Sequence, residues 1–130
     1  MGGILMAYDK AKMQAWTNSV AVYWWNHCTR IFGVSIGKMP TVEMNARLTA
    51  TGGRAFLKEG RMDFSCFLME RNYKEFRDQI IPHELCHFIA YRLFHDDGHG
   101  KPWKWCMMRL GLAPDTFHQM ETKYQLSRRK

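Results

Sequence analysis

The spacing of apolar residues changes along the chain, and this separates predicted helices from predicted strands. Helical spacing begins after Asp9, a suitable N-cap, and stops before Gly33, so we predict a first helix that reaches Phe32. Its core face is expected to carry Met13, Trp16, Val20, Trp24, His27 and Ile31.

From Pro40 the apolar residues alternate with polar ones, which predicts a half-buried strand over residues 41–48. A second strand fits Arg54 to Leu57 and a third fits Met62 to Phe67. The turn between them, over residues 58–61, would make a hairpin. We therefore expect a three-stranded antiparallel sheet.

Helical spacing returns over residues 73–94, where apolar side chains cover most of the circumference and indicate a buried helix. Pro82 has no N–H, so it should kink this helix or start a new one. After a loop at 98–100, Pro102 suits the first turn of a short helix that ends near Gly111. The order of these elements predicts an α+β fold.

The buried helix carries His83-Glu84-Leu85-Cys86-His87, an H-E-x-x-H motif. Residues four apart share a helix face, so the two imidazoles can hold one metal ion with Glu84 beside it. Zinc on three protein ligands lowers the pKa of water to about 7, and a neighbouring carboxylate can accept the proton. This chemistry indicates hydrolysis, most often of a peptide bond. We interpret Cys86 as a packing residue.

A catalytic zinc site needs a third protein ligand, and the candidates downstream are His95, Asp96, Asp97 and His99. His99 is favoured because a glycine on each side lets the backbone turn toward the helix. His95 would lie about 12 Å farther along a continuous helix, too far to share the ion. The first three candidates stay open as alternatives.

The motif followed by His99-Gly100-Lys101-Pro102-Trp103 resembles the H-E-x-x-H…H-G-x-x-W pattern of the SprT-like family, which includes the Spartan proteases. Thr51-Gly52-Gly53-Arg54-Ala55 is similar to a short glycine-containing strand of that family, and the similarity runs from about residue 10 to about residue 120. The resemblance implies a compact zincin-like domain and a zinc-dependent, DNA-stimulated protease that removes proteins crosslinked to DNA. It implies one Zn²⁺ on His83, His87 and His99, with Glu84 as the catalytic base.

Many bacterial members of that family also end in a zinc ribbon with paired C-x-x-C elements. The cysteines of this chain, at 28, 66, 86 and 106, never form that pattern. We therefore expect a short form: one SprT-like domain over residues 1–130, with its core at about 9–120 and a basic tail at 121–130.

The net charge of +7 suits a polyanionic partner, and DNA is the expected one, with the strand type left open. Lys101, Lys104 and Trp105 combine cations with an aromatic ring, which suits phosphates and stacked bases. Arg128 and Arg129 in the tail are further candidates. Trp103 keeps helical spacing with Met107 and Leu110, so we predict that it belongs to the core.

Protein substrates on DNA are the other expected partner. An edge strand beside the metal helix can pair with an extended peptide, and the candidate is Arg54, Ala55, Phe56 and Leu57. A second donor to the transition state is sought among Tyr91, Arg92, His95 and His118. Two alternatives stay open: a zinc-stabilised DNA-binding adaptor without proteolytic turnover, and hydrolysis of a different substrate.

The composition indicates one globular domain, since 46% of the 130 residues are hydrophobic and five are tryptophan. No apolar run approaches about 20 residues, so we expect no membrane span, and we expect no secretory signal at the N-terminus. Four scattered cysteines are expected to be reduced thiols. The expected location is the cytoplasm, including association with the nucleoid.

Overall fold

A computed structural model describes residues 9–115, and it confirms the α+β class. The described elements, in chain order, are α1 (Lys10–Phe32), a 3-10 turn (Val34–Ile36), β1 (Thr41–Asn45), β2 (Gly53–Phe56), β3 (Arg61–Ser65), α2 (Cys66–Arg71), α3 (Tyr73–Glu75), a π turn (Phe76–Ile80), α4 (Ile81–Phe94) and α5 (Lys101–Arg109). None of the helices described is both long and apolar enough to cross a membrane.

Helix α1 has the predicted ends but a different core face. The Asp9 carboxylate accepts a hydrogen bond from the Lys12 backbone N–H at 3.0 Å, and Gly33 ends the helix with φ 93°. The fully buried positions are Met13, Thr17, Ala21, Trp25 and Cys28. The prediction was therefore wrong by about one residue, or roughly 100° of rotation, after Met13.

The size of the side chains explains this rotation of α1. Ala21, Thr17 and Cys28 are small, so they allow the helix axis to approach its neighbours closely. The larger rings lie at the sides of the interface. Trp16 packs edge-on against Tyr73 at 4.8 Å, and the Trp24 indole donates to the Arg77 carbonyl at 2.8 Å. Trp16, Val20, Trp24 and Ile31 of the predicted face are only partly buried.

The sheet is mixed, with strand order β1-β3-β2. Strands β2 and β3 form the predicted antiparallel hairpin, whereas β1 pairs with β3 in parallel, so the prediction of an all-antiparallel sheet was wrong. The connection over residues 46–52 carries the chain past β3 before the hairpin returns. Strand β3 takes the centre because Met62 to Ser65 are all buried, while β1 and β2 are only partly so.

Side-chain hydrogen bonds end two strands earlier than predicted. The Asn45 side-chain oxygen accepts from the Arg47 backbone N–H at 2.9 Å, and this turn ends β1. The Ser65 hydroxyl accepts from the Leu68 backbone N–H at 3.0 Å and caps α2, so β3 stops at Ser65.

Helix α4, which carries the H-E-x-x-H motif, begins next to Pro82, where the sequence predicted a kink or a new helix. In the π turn before it, the Ile81 backbone N–H bonds to the Phe76 carbonyl, and Pro82 then occupies the first turn of α4. Every residue of α4 from Ile81 to Ala90 is buried. Helix α5 covers one side of α4 with Trp103, Cys106 and Met107, and strand β2 covers another.

Candidate metal centre

Three imidazole rings converge at one end of α4. The Nε2 atom of His99 lies 3.0 Å from Nε2 of His83 and 2.9 Å from Nε2 of His87. The ligand atoms of the three rings all lie within 4.8 Å of one another, a spacing that can hold a metal ion. His83 and His87 are buried and His99 is exposed, so the cluster opens to solvent on the side of His99.

A sharp turn after α4 brings His99 back to the helix. His95 has left-handed backbone angles (φ 58°, ψ 29°), and the Asp96 backbone N–H donates to the Ala90 carbonyl at 3.3 Å. These features stop the helix and reverse the chain. Of the four candidates, His99 is the residue whose ring lies with those of His83 and His87, so it completes the cluster.

Trp103 forms the floor beneath the three imidazoles. It is fully buried, as predicted, and its indole N–H donates to the His83 carbonyl at 3.1 Å. Its ring centroid lies 4.7 Å from those of both His83 and His99, and it stacks on His87 at 5.5 Å with an interplanar angle of 22°. The indole therefore limits the directions in which the imidazoles can tilt.

The Glu84 carboxylate lies beside the histidine cluster. Its Oε2 atom is 3.8 Å from Nε2 of His83, and both side chains are almost completely buried. Burial, with a smaller contribution from the negative charge of Asp63, raises the pKa of Glu84 to about 8. In the metal-free protein this carboxyl group therefore holds a proton at neutral pH.

The donor set fits a divalent metal that prefers nitrogen ligands. Burial and the neighbouring His99 lower the pKa of His87 to about 4, so this ring is neutral at pH 7, as a metal ligand must be. Zinc with Zn–N bonds of about 2.0–2.1 Å separates tetrahedral ligand nitrogens by roughly 3.3 Å, close to the spacing found here. Small rotations of the rings would therefore admit the ion.

Strand β2 forms the opposite wall of the cleft. A Cβ atom added at Gly53 would lie 2.8 Å from the Phe64 ring and 3.2 Å from Cγ of Glu84, so only glycine permits this approach. The cleft has a volume of about 230 Å³ and is lined by Thr51, Gly52, Gly53, Ile80, His83, Glu84, His87 and His99.

An ion pair between the exposed Arg54 side chain and the buried Asp63 carboxylate joins strands β2 and β3 next to this cleft. Asp63 on β3 accepts two hydrogen bonds from the Arg54 guanidinium, at 3.0 and 2.5 Å, and one from the Asn45 side chain at 3.0 Å. Burial favours the neutral acid, but these hydrogen bonds outweigh it and lower the pKa of Asp63. Asp63 therefore stays ionised close enough to raise the pKa of Glu84.

The predicted substrate strand, Arg54 to Leu57, overlaps β2, which is an edge strand packed beside α4. The candidate transition-state donors that are described lie outside the cleft lining. The Arg92 guanidinium donates to the carbonyls of Ile36 and Lys38 at 2.7 and 2.6 Å, so it stabilises the turn after α1. His118 lies outside the described residues.

The predicted nucleic-acid residues of α5 lie on its exposed face. Lys101 and Lys104 are exposed, and Trp105 is 43% exposed. The Trp105 ring packs against Phe32 at 5.5 Å and Phe94 at 5.6 Å, and the Arg109 guanidinium lies 5.9 Å from it. We call Phe32, Phe94, Lys104, Trp105 and Arg109 the aromatic–basic face. Arg128 and Arg129 lie outside the described residues.

Sequence reasoning missed Asp63 as a neighbour of Glu84, and it considered Asp96 only as a metal ligand. The signal for Asp63 was an acidic residue inside an otherwise apolar strand, which requires a buried partner. The signal for Asp96 was its place in the glycine-containing segment that carries His99.

Comparison with known proteins gives a consistent result. A model of the SprT-like family matches residues 8–125. Protein SprT of Actinobacillus succinogenes is 37% identical over 87 residues, which cover 65% of this chain and 51% of that protein. Protein SprT of Photorhabdus laumondii is 38% identical over 69 residues, which cover 52% of this chain and 35% of that protein. Protein SprT of Shewanella oneidensis is 29% identical over 86 residues, which cover 65% of this chain and 54% of that protein.

The chain thus spans about half the length of these relatives, or less. No solved structure matches it significantly.

Proposed function

Since this chain belongs to the SprT-like family, we propose that it is a zinc-dependent peptidase that cleaves proteins bound or crosslinked to DNA. One observation carries the proposal: three Nε2 atoms converge within 4.8 Å, and a buried carboxylate lies 3.8 Å from one of them. This is the donor set and base that metal-assisted hydrolysis requires.

His83, His87 and His99 would hold the zinc ion. When bound, zinc polarises a peptide carbonyl and lowers the pKa of water to about 7. Glu84 accepts the proton of the attacking water at Oε2 and delivers it to the nitrogen of the leaving amine. The Glu84 pKa of about 8 in the metal-free protein suits delivery of the proton to the leaving amine. A nearby cation would favour the ionised carboxylate that is needed to accept the proton from water.

An extended peptide suits the shape of the cleft. Strand β2 is at the edge of the sheet, so it can offer backbone groups to a substrate strand, and Gly53 lets this strand approach Glu84 closely. Backbone pairing places little demand on the substrate side chains. This supports a peptidase that accepts varied protein targets.

The aromatic–basic face supports the DNA part of the proposal. Helices α1 and α5 contain no aspartate or glutamate. The cations that these helices carry near Trp105 therefore cannot form ion pairs within their own helix. An exposed indole among cations suits the stacking of bases and the binding of phosphates. Lys101, Lys104 and Trp105 are the proposed contacts on α5, and Arg128 and Arg129 extend the proposal to the tail.

Replacement of the proposed base tests the function. Glu84→Gln is expected to retain zinc and DNA binding but to lose at least about 100-fold in cleavage of a DNA-bound protein, since general base catalysis contributes 10²–10⁴-fold. The measurement is cleavage by purified zinc-loaded protein with and without DNA. Glu70→Gln, which changes an exposed glutamate on α2, is the control and should cleave like the parent.

If Glu84→Gln cleaved as fast as the parent, the assignment of the base would be wrong. If the parent bound zinc and DNA but cleaved no protein under any condition, the adaptor without turnover would replace the peptidase.

A further inference from the structure

We infer that Asp96 is a positioning residue for the histidine cluster. It acts on His87 through the backbone of Gly98, and it acts on His99 by fixing the shape of the loop that carries this residue. The inference rests on the proposed metal site, and it assigns Asp96 a role outside the ligand set. It follows from three features of the loop over residues 95–100.

The first feature is the fold of the loop around the Asp96 carboxylate. The Gly98 backbone N–H donates to Oδ1 of Asp96 at 3.4 Å. A Cβ atom at Gly100 would lie 3.5 and 3.7 Å from the two carboxylate oxygens. The carboxylate therefore packs between the two glycines that flank His99, and it fixes the backbone from which His99 projects.

The second feature connects this loop to α4. The backbone of Gly98 is close enough to the His87 ring to act as a hydrogen-bond acceptor. A bond of this kind holds the imidazole in one orientation and leaves Nε2 directed at the other two rings. Because Asp96 holds Gly98, a change at Asp96 would be transmitted to the orientation of His87.

The third feature is charge. Oδ2 of Asp96 is buried and has no hydrogen-bond partner among the residues described. An ion held by His87 and His99 would bring positive charge to the same side. The buried oxygen would thus gain an oppositely charged neighbour when the centre is loaded.

Asp97 provides a matched control because it is adjacent, carries the same charge and is exposed. The test compares Asp96→Asn, Asp96→Ala and Asp97→Asn by competition of each protein with a chromophoric chelator for Zn²⁺. Supporting groups of ligands typically change metal affinity 10- to 100-fold. We expect a loss of about 10-fold for Asp96→Asn, a larger loss for Asp96→Ala, which also removes the acceptor for Gly98, and no change for Asp97→Asn.

The absorption spectrum of Co²⁺-loaded protein supplies a second readout, because it reports ligand geometry rather than stability. The visible bands should shift in both Asp96 variants and not in Asp97→Asn. If Asp96→Ala fails to fold, Asp96→Asn alone decides, since it preserves the shape of the side chain. Equal Zn²⁺ affinity and equal spectra in Asp96→Asn and Asp97→Asn would overturn the inference and leave the proposed function standing. A parent protein that binds no Zn²⁺ would instead overturn the proposed function.

Discussion

Two ionisable side chains of the centre are buried in their neutral forms, and they respond to pH in opposite directions. The pKa of Glu84 rises from 4.5 to about 8 through burial, so the folded state binds the extra proton between these values. The pKa of His87 falls from 6.5 to about 4, so the unfolded state binds the extra proton there. Glu84 therefore makes folding less favourable as pH rises, whereas His87 makes it more favourable.

Between pH 6.5 and 8 the Glu84 effect comes to dominate, because His87 loses its proton in the unfolded state too as the pH rises above 6.5. We expect the unfolding free energy of the metal-free protein to fall across this window, by at most about 1.4 kcal/mol per pH unit. Urea unfolding at several pH values, with a chelator present, measures it. Glu84→Gln cannot titrate, so its curve should be flatter; a slope equal to that of the parent would contradict the burial argument.

The residues of the metal centre that lie close to one another in the sequence could be predicted. The i, i+4 spacing of His83 and His87 and the glycines around His99 point to one site without knowledge of the fold. Asp63 was not predictable as a neighbour of Glu84, because its distance from Glu84 depends on how β3 packs against α4.

At the scale of elements, the contact between β2 and α4 depends on the absence of a side chain at Gly53. We expect Gly53→Ala to move β2 away from Glu84, because the Phe64 ring that it meets at 2.8 Å is fully buried and cannot swing aside. Overpacking of this kind costs about 1–3 kcal/mol. The activity should fall more than zinc binding does, since the wall above the base is displaced while the three imidazoles are not.

Gly98→Ala is a useful comparison for stability, since its added Cβ meets nothing within 4 Å. Thermal unfolding of both variants, together with zinc-binding and peptidase assays of Gly53→Ala against the parent, tests the expectation. Parent-like stability and activity in Gly53→Ala would show that β2 tolerates the side chain.

The elements themselves were largely predictable, but their arrangement was not. The ends of α1 followed from the cap at Asp9 and from Gly33, which act locally. The parallel pairing of β1 with β3 depends on where the connection over 46–52 places the chain, and alternation of residues carries no information on strand order. The rotation of α1 was missed because large apolar residues were weighted above small ones, although the small ones lie at the closest contact.

At the scale of the molecule, a net charge of +7 and the aromatic–basic face predict salt-dependent binding to DNA. The affinity for a single-stranded oligonucleotide should fall linearly with salt on logarithmic axes, by about 0.7 per phosphate contacted. Lys104→Ala should reduce that slope by about one contact, and Trp105→Ala should weaken binding at every salt concentration by about 1–3 kcal/mol. Fluorescence anisotropy with single-stranded and duplex oligonucleotides measures both effects.

Lys58→Ala removes an exposed positive charge from the turn between β2 and β3. It is the control that distinguishes binding at the aromatic–basic face from binding through the overall charge. If Lys58→Ala and Lys104→Ala altered the slope equally, binding would depend on overall charge and the face would have no special role.

The histidines of the centre are at most 16 positions apart in the chain. Closing so short a loop costs little conformational entropy, so the ion can be captured as soon as α4 and its following turn exist. The proposed chemistry depends on more, since β2 must also pack beside α4 to bring Gly53 against Glu84. Under the proposed function, a folding chain that had gathered its ion would still be unable to attack a peptide until this strand arrived.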